Sequence, residues 1–209
     1  MRISNRLVKH AAIAAGVAAA TSANAAIVYS GVLNFVCAVD IDGTYINVET
    51  GVLSNGPGSG VPGWDVNPYS TSGGLNFFNS TGGGQMRTPG QTTGAAGNLA
   101  LGTVIGAAGS YNTTTANVMT NATGGWQYGA QNIIGFRFVA ASGQTHYGWM
   151  RFAVGAIGSA GVGNNAPTRT VVDYAYESVA GASIEAGAIP APGAIALLGL
   201  AGFAGRRRR

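Results

Sequence analysis

Between Ala26 and Glu185 the apolar residues come in short alternating or β-branched runs, and no segment keeps a 3.6-residue apolar period through three turns. That pattern predicts strands throughout. Ile27 to Val39 and Thr44 to Glu49 are β-branched and aromatic runs around Asp42-Gly43, a pair suited to a tight turn, and they predict a first hairpin. Asn132 to Ala140 and Gln144 to Val154 flank Ala141-Ser142-Gly143 and form the clearest pair. Ile134, Phe136 and Phe138 share one face of the first strand, while Tyr147, Trp149 and Arg151 alternate with Met150 and Phe152 on the second. Large residues on both faces place such strands inside a layered structure. The expected fold is therefore all-β, a two-sheet antiparallel β-sandwich of jelly-roll-like form. Further strands are expected at Leu75 to Phe78, Leu99 to Ile105 and Thr168 to Ser178. The stretches 54–63, 80–97 and 106–125 are rich in Gly, Ser, Thr and Asn and read as long loops. No repeat of fixed period is evident, which argues against a solenoid or propeller.

The two ends depart from this pattern. Residues 1–25 have a basic start (Arg2, Arg6, Lys9), an apolar run from Ala11 to Ala20, and then Ala23-Asn24-Ala25. This is the design of a secretory signal peptide, its helix ending at small residues that suit signal peptidase, and it predicts a mature start at Ala26. The other end reads Ile189-Pro190-Ala191-Pro192-Gly193, then an apolar run from Ala194 to Ala204, Gly205, and Arg206, Arg207, Arg208 and Arg209. The prolines mark a boundary. The apolar run is well short of the ~20 residues of a comfortable membrane span. Terminal arginines would stay on the cytoplasmic side, holding the body outside. The expected organisation is a signal peptide (1–25), a β-sandwich domain (26–186) and a tail with a short hydrophobic helix (187–209).

Pro190, Ala191, Pro192 and Gly193, the helix through Leu197, Leu198 and Leu200, and the arginine cluster together resemble the PEP-CTERM sorting signal of Gram-negative and related bacteria. The resemblance implies recognition of the tail by an exosortase-type membrane enzyme and association with extracellular polysaccharide and biofilm. The usual glutamate between the prolines is Ala191 here, which bears on whether the tail is cut or kept. The body also resembles one that recurs among secreted proteins with such tails. The matching segments run from Asp42 to Val48, Gly63 to Tyr69, Ile134 to Phe138, Tyr147 to Trp149 and Asp173 to Glu177. That likeness implies no catalytic residues.

Charge sharpens the picture. Of eleven basic residues only Arg87, Arg137, Arg151 and Arg169 fall between the termini, against all seven acids, so the body carries −3 although the whole chain sums to +4. Four scattered arginines cannot form a phosphate-binding surface, so nucleic acid is not an expected partner. Cys37 is the only cysteine, and no intramolecular disulfide can form. A core must hold the fold.

Outside the signal peptide there is no lysine and one histidine, His146. Schiff-base chemistry, a phosphate-loop lysine and clustered-histidine metal sites all need residues the body does not have. No Gly-x-Ser-x-Gly elbow occurs, and His146, at a strand start, reads as structural. The string Gly58-Ser59-Gly60-Val61-Pro62-Gly63 fits a dinucleotide fingerprint only as letters, since Pro62 and the following Trp64 to Pro68 preclude the helix that motif needs. Asp40 and Asp42, with Asn47 and Glu49, offer oxygen ligands for calcium; a solvated pair beside a turn is the plainer reading. Trp64, Asp65 and Asn67 with Tyr69, and Trp126 with Tyr128, combine aromatic faces and polar groups as a sugar site does; core packing of the tryptophans is the alternative. Asn79, Asn112 and Asn121 head N-glycosylation triplets. The functional expectation is a non-enzymatic cell-surface or matrix protein without a cofactor. Its partners would be signal peptidase, the sorting enzyme, polysaccharide and, through the tail, the membrane. A carbohydrate-binding module stands second and a hydrolase with an unrecognised site third.

Overall fold

A computed structural model describes residues 26–71, 74–78, 84–88, 96–112, 115–118, 125–162 and 165–190. Ala23 and Ala25, and Pro192, Gly193 and Arg206 to Arg209, lie outside the described residues, as do both terminal helices expected from the sequence.

The longest hairpin joins β10 (Ala130–Val139) to β11 (Thr145–Val154), in register from Val139 opposite Thr145 to Ala130 opposite Val154. Its turn closes at Gly143, whose φ of +79° a residue with a Cβ adopts only with strain. β12 (Arg169–Glu177) lies on the other side of β11. β1 (Ile27–Tyr29) and β2 (Phe35–Val36) share the outer edge of β12, and β7 (Gln85–Met86) pairs with β10. All these pairings are antiparallel. Three smaller antiparallel sheets accompany this one. They are β3 (Thr44–Asn47) with β4 (Val52–Asn55); β6 (Leu75–Phe78) between β5 (Asn67–Tyr69) and β9 (Ala116–Val118); and β8 (Val104–Ile105) with β13 (Ile184–Glu185). Among the described residues there is no α-helix, and none of the helical structure is long and apolar enough to cross a membrane.

The large sheet is buried on both faces. Ile134, Phe136, Phe138, Met150, Phe152 and Tyr174 pack on one side against Ile46, Val48, Val66, Leu75, Phe77 and Trp126. On the other side Ile133, Tyr147, Trp149 and Ala175 meet Leu99, Ile105, Tyr111 and Ile184. The strand alternation expected for β10 and β11 is thus realised, each strand feeding two cores. Gly148 is small because Phe136 fills its side of the sheet: a Cβ there would lie 2.4 Å from the Phe136 ring. A register shift between Arg151 and Phe152 puts Val172 in a bulge of β12, since Arg151 faces Asp173 and Phe152 faces Val171. One extra residue reverses the alternation, so Val171 and Tyr174, three apart, both enter the first core.

The first hairpin differs from expectation. The run from Ile27 to Val39 is broken between β1 and β2 at Gly31 (φ +72°) and Asn34 (φ +50°), where Leu33 and Asn34 donate their N–H groups to the bulged Val172 carbonyl. The segment arches over the bulge instead of crossing to Thr44. Asp42-Gly43 does make a turn, closed by the Gly43 N–H bonding Asp40 Oδ1 at 2.6 Å, but the hairpin forms one step later, between β3 and β4. Leu99 to Ile105 likewise shortens to β8, because Leu101 and Gly102 turn.

Candidate functional site

The small sheets carry an aromatic surface. In β3 Thr44 and Ile46 are buried, so Tyr45 between them points outward. In β6 Leu75 and Phe77 face the core, which leaves Phe78 on the opposite side, 48% exposed. Tyr69 of β5 stands diagonally from Phe78, because Asn67 is the residue directly opposite it. Trp64 leads into β5 and bridges the two sheets. Its ring lies 5.1 Å from Tyr45 edge to face and 6.3 Å from Phe78, and Phe78 is 6.2 Å from Tyr69. Gly58 floors this cluster, since a Cβ there would come within 2.6 Å of the Tyr45 ring and 3.1 Å of Trp64 Nε1. Ile41, Tyr45, Asn67, Tyr69 and Phe78 line a shallow groove of about 240 Å³.

The residues singled out from the sequence separate. Trp64 stays half-buried at the surface, whereas Trp126 is 2% exposed and spends its indole N–H on the Ala96 carbonyl at 2.7 Å. Trp126 is core, closed in by Phe77 and Phe152, and is no ligand contact. Asp65 is buried as well, accepting the Val48 N–H at 2.9 Å. Burial pushes its carboxyl up to about 7, and the nearby Glu49 charge acts the same way against the stabilising N–H. The Asn67 amide is buried and donates to the Asp42 and Thr44 carbonyls, holding the turn against β5. Asp65 therefore supports the groove from below, and Asn67 lines it with its amide nitrogen already engaged. Tyr69 was grouped with Trp64 from the sequence; Tyr45 and Phe78 were legible only as strand aromatics, because which face they turn outward depends on the neighbouring sheet.

The proposed calcium ligands do not converge. Asp40 and Asp42 are exposed, and Asp40 is bonded to Gly43. The Asn47 amide donates to the Pro62 and Gly63 carbonyls while its oxygen accepts the Glu49 and Thr50 N–H groups. Glu49 reaches away to the Ala141 N–H, and no group of three His, Cys, Asp or Glu side chains gathers among the described residues. Asn112 is fully buried and its oxygen accepts the Met86 N–H, so it is closed to glycosylation. The residues Gly58–Gly60 form a single 3-10 turn with no following helix. His146 is buried, bonded through Nδ1 to the Glu177 carbonyl and stacked on Phe138.

Several polar side chains on the large sheet are tied into bonds. Arg151 grips Asp173 through two bonds of 2.9 Å, and Tyr29 adds its hydroxyl at 2.9 Å, tying β1, β11 and β12. The buried Arg169 donates to the Ser70 and Gly74 carbonyls. Cys37 is buried, which pushes its thiol up to about 11 and leaves it a poor nucleophile. Trp149 donates to the Ala188 carbonyl at 2.9 Å, so packing runs to the residue pair before Pro190. No family model, curated protein or solved structure matches this chain.

Proposed function

We propose that the mature chain is an exported, non-enzymatic surface or matrix protein that meets extracellular polysaccharide through the aromatic surface of Tyr45, Trp64, Tyr69 and Phe78. The observation that carries the reading is this aromatic cluster, turned to water on a domain whose other tryptophans are sealed and hydrogen-bonded. Exposed rings lower the free energy of the domain only when something covers them. The apolar face of a sugar ring fits such a surface. Export rests on the signal-peptide design of residues 1–25, and surface retention on the Pro190-Ala191-Pro192 tail with its arginines. Its partners along the route are signal peptidase, an exosortase-type enzyme and the membrane. The engagement of His146, Asp173 and Glu177 in structural bonds is in keeping with a non-enzymatic role. We read the body as a sandwich in which β3 to β6 and β9 cover one face of the large sheet.

Glycan-array binding by the secreted protein tests the proposal. Trp64→Ala or Phe78→Ala is expected to weaken binding about tenfold, one stacked ring being worth roughly 1.4 kcal/mol, with the fold unchanged by circular dichroism. Absence of binding to any glycan would leave a passive matrix protein.

A further inference from the structure

Glu177 closes β12 with its carboxylate turned inward, 3% exposed. Its Oε1 accepts two backbone N–H groups, from Val179 at 3.0 Å and from Ala26 at 2.9 Å. The same junction starts the β1–β12 ladder, with Ile27 opposite Glu177 and the Ser178 N–H on the Ala26 carbonyl. A buried carboxylate is costly without a cation. None reaches it among the described residues. The one ion pair there is Arg151 with Asp173; Arg137 meets Gln85 and Tyr111, Arg169 meets backbone carbonyls, and Arg87 lies beside Tyr111. His146 bonds the backbone carbonyl of Glu177 and not its carboxylate.

The atom already on Oε1 is the nitrogen that cleavage after Ala25 would free. Hydrolysis of that peptide bond by signal peptidase adds water across it. Ala25 keeps the new carboxylate and leaves, and the Ala26 nitrogen takes up protons to become an α-ammonium. We propose that Glu177 is a built binding site for this ammonium, so that processing completes a half-buried ion pair that locks β1 onto the edge of β12. The inference rests on the export reading above. In the precursor the same nitrogen is a neutral amide, and Glu177 holds it by a hydrogen bond alone. In the mature chain the donor carries a full positive charge as well, so Coulomb attraction between ammonium and carboxylate adds to the hydrogen bond.

The absence of lysine beyond Lys9 makes this testable with one reagent, because the α-amine is then the only aliphatic amine in the mature chain. The secreted protein is sequenced from its N-terminus, and its acylation by an N-hydroxysuccinimide acetate is timed across pH 6 to 10, folded and in guanidinium chloride. Pairing raises the amine's titration midpoint, whereas burial without a partner lowers it, so the wild-type profile alone decides. A start at Ala26 and a midpoint about one pH unit higher in the folded protein are expected, giving about tenfold slower labelling near pH 7.5. Glu177→Gln, where it folds, should recover labelling to within about twofold of the unfolded rate. An Ala26 start with an unshifted or lowered midpoint overturns the ion pair and leaves the export reading standing. A start elsewhere overturns both.

Discussion

The region from Ile41 to Phe78 and the large sheet draw on the same residue types and treat them oppositely. On the large sheet Trp149 is fully buried with its N–H on Ala188, and Arg151, Asp173 and Tyr29 satisfy one another. In the small sheets Trp64, Tyr45, Tyr69 and Phe78 touch edge to face and remain open to water. Two long neighbours flank β11, and cores lie on both its faces, so most side chains there are enclosed. β3 and β6 are four residues long and covered on one face only, which leaves every second aromatic outside. Sealed aromatics stabilise the domain. Open ones cost little to remove and are free to bind.

The sharpest break of this contrast is Trp126→Ala against Trp64→Ala. The first leaves a cavity among Phe77 and Phe152 and should cost about 4 kcal/mol, while the second should cost about 1 kcal/mol, read from denaturant midpoints. Next comes Asp173→Ala, expected to cost about 3 kcal/mol by stripping the carboxylate from Arg151 and Tyr29; equal stability in denaturant would mean the network holds nothing.

Asp65, beneath the groove, sharpens the comparison through pH. Its carboxyl titrates at about 7 in the fold and near 4 in the unfolded chain, so the folded state holds the extra proton between those values. Stability from this group is full below about pH 4 and falls as pH rises through 7, by something on the order of 2 kcal/mol. Melting temperatures measured from pH 4 to 8 should decline accordingly, and Asp65→Asn should flatten the slope. Smallest is the stability effect of Phe78→Ser, within about 0.5 kcal/mol, because the ring is nearly half exposed.

Much of the framework was readable along the chain. β10, β11, β12 and β6 fall where alternation and the Ala141-Ser142-Gly143 turn put them, since both signals are local. The first hairpin was misread for the opposite reason: at Gly31 and Asn34 the run bends to the bulge at Val172, which offers a carbonyl to two N–H groups from over a hundred residues away. For the candidate site, Trp64 was found as a residue type beside polar neighbours. Tyr69 was grouped with it, but Tyr45 and Phe78 came from strands whose outward face no local pattern specifies.

The sequence by itself determined the β character of the body, the lone thiol, and a body without lysine, because composition and period-two patterning act residue by residue. Only the tertiary structure decided which tryptophans are core and which are surface, that Asp65 and Asn67 are buried, and that Glu177 meets the nitrogen of Ala26. Burial is a property of what packs from elsewhere in the chain. A strand prescribes that neighbouring side chains point apart, and its distant partners choose which of the two sides water reaches.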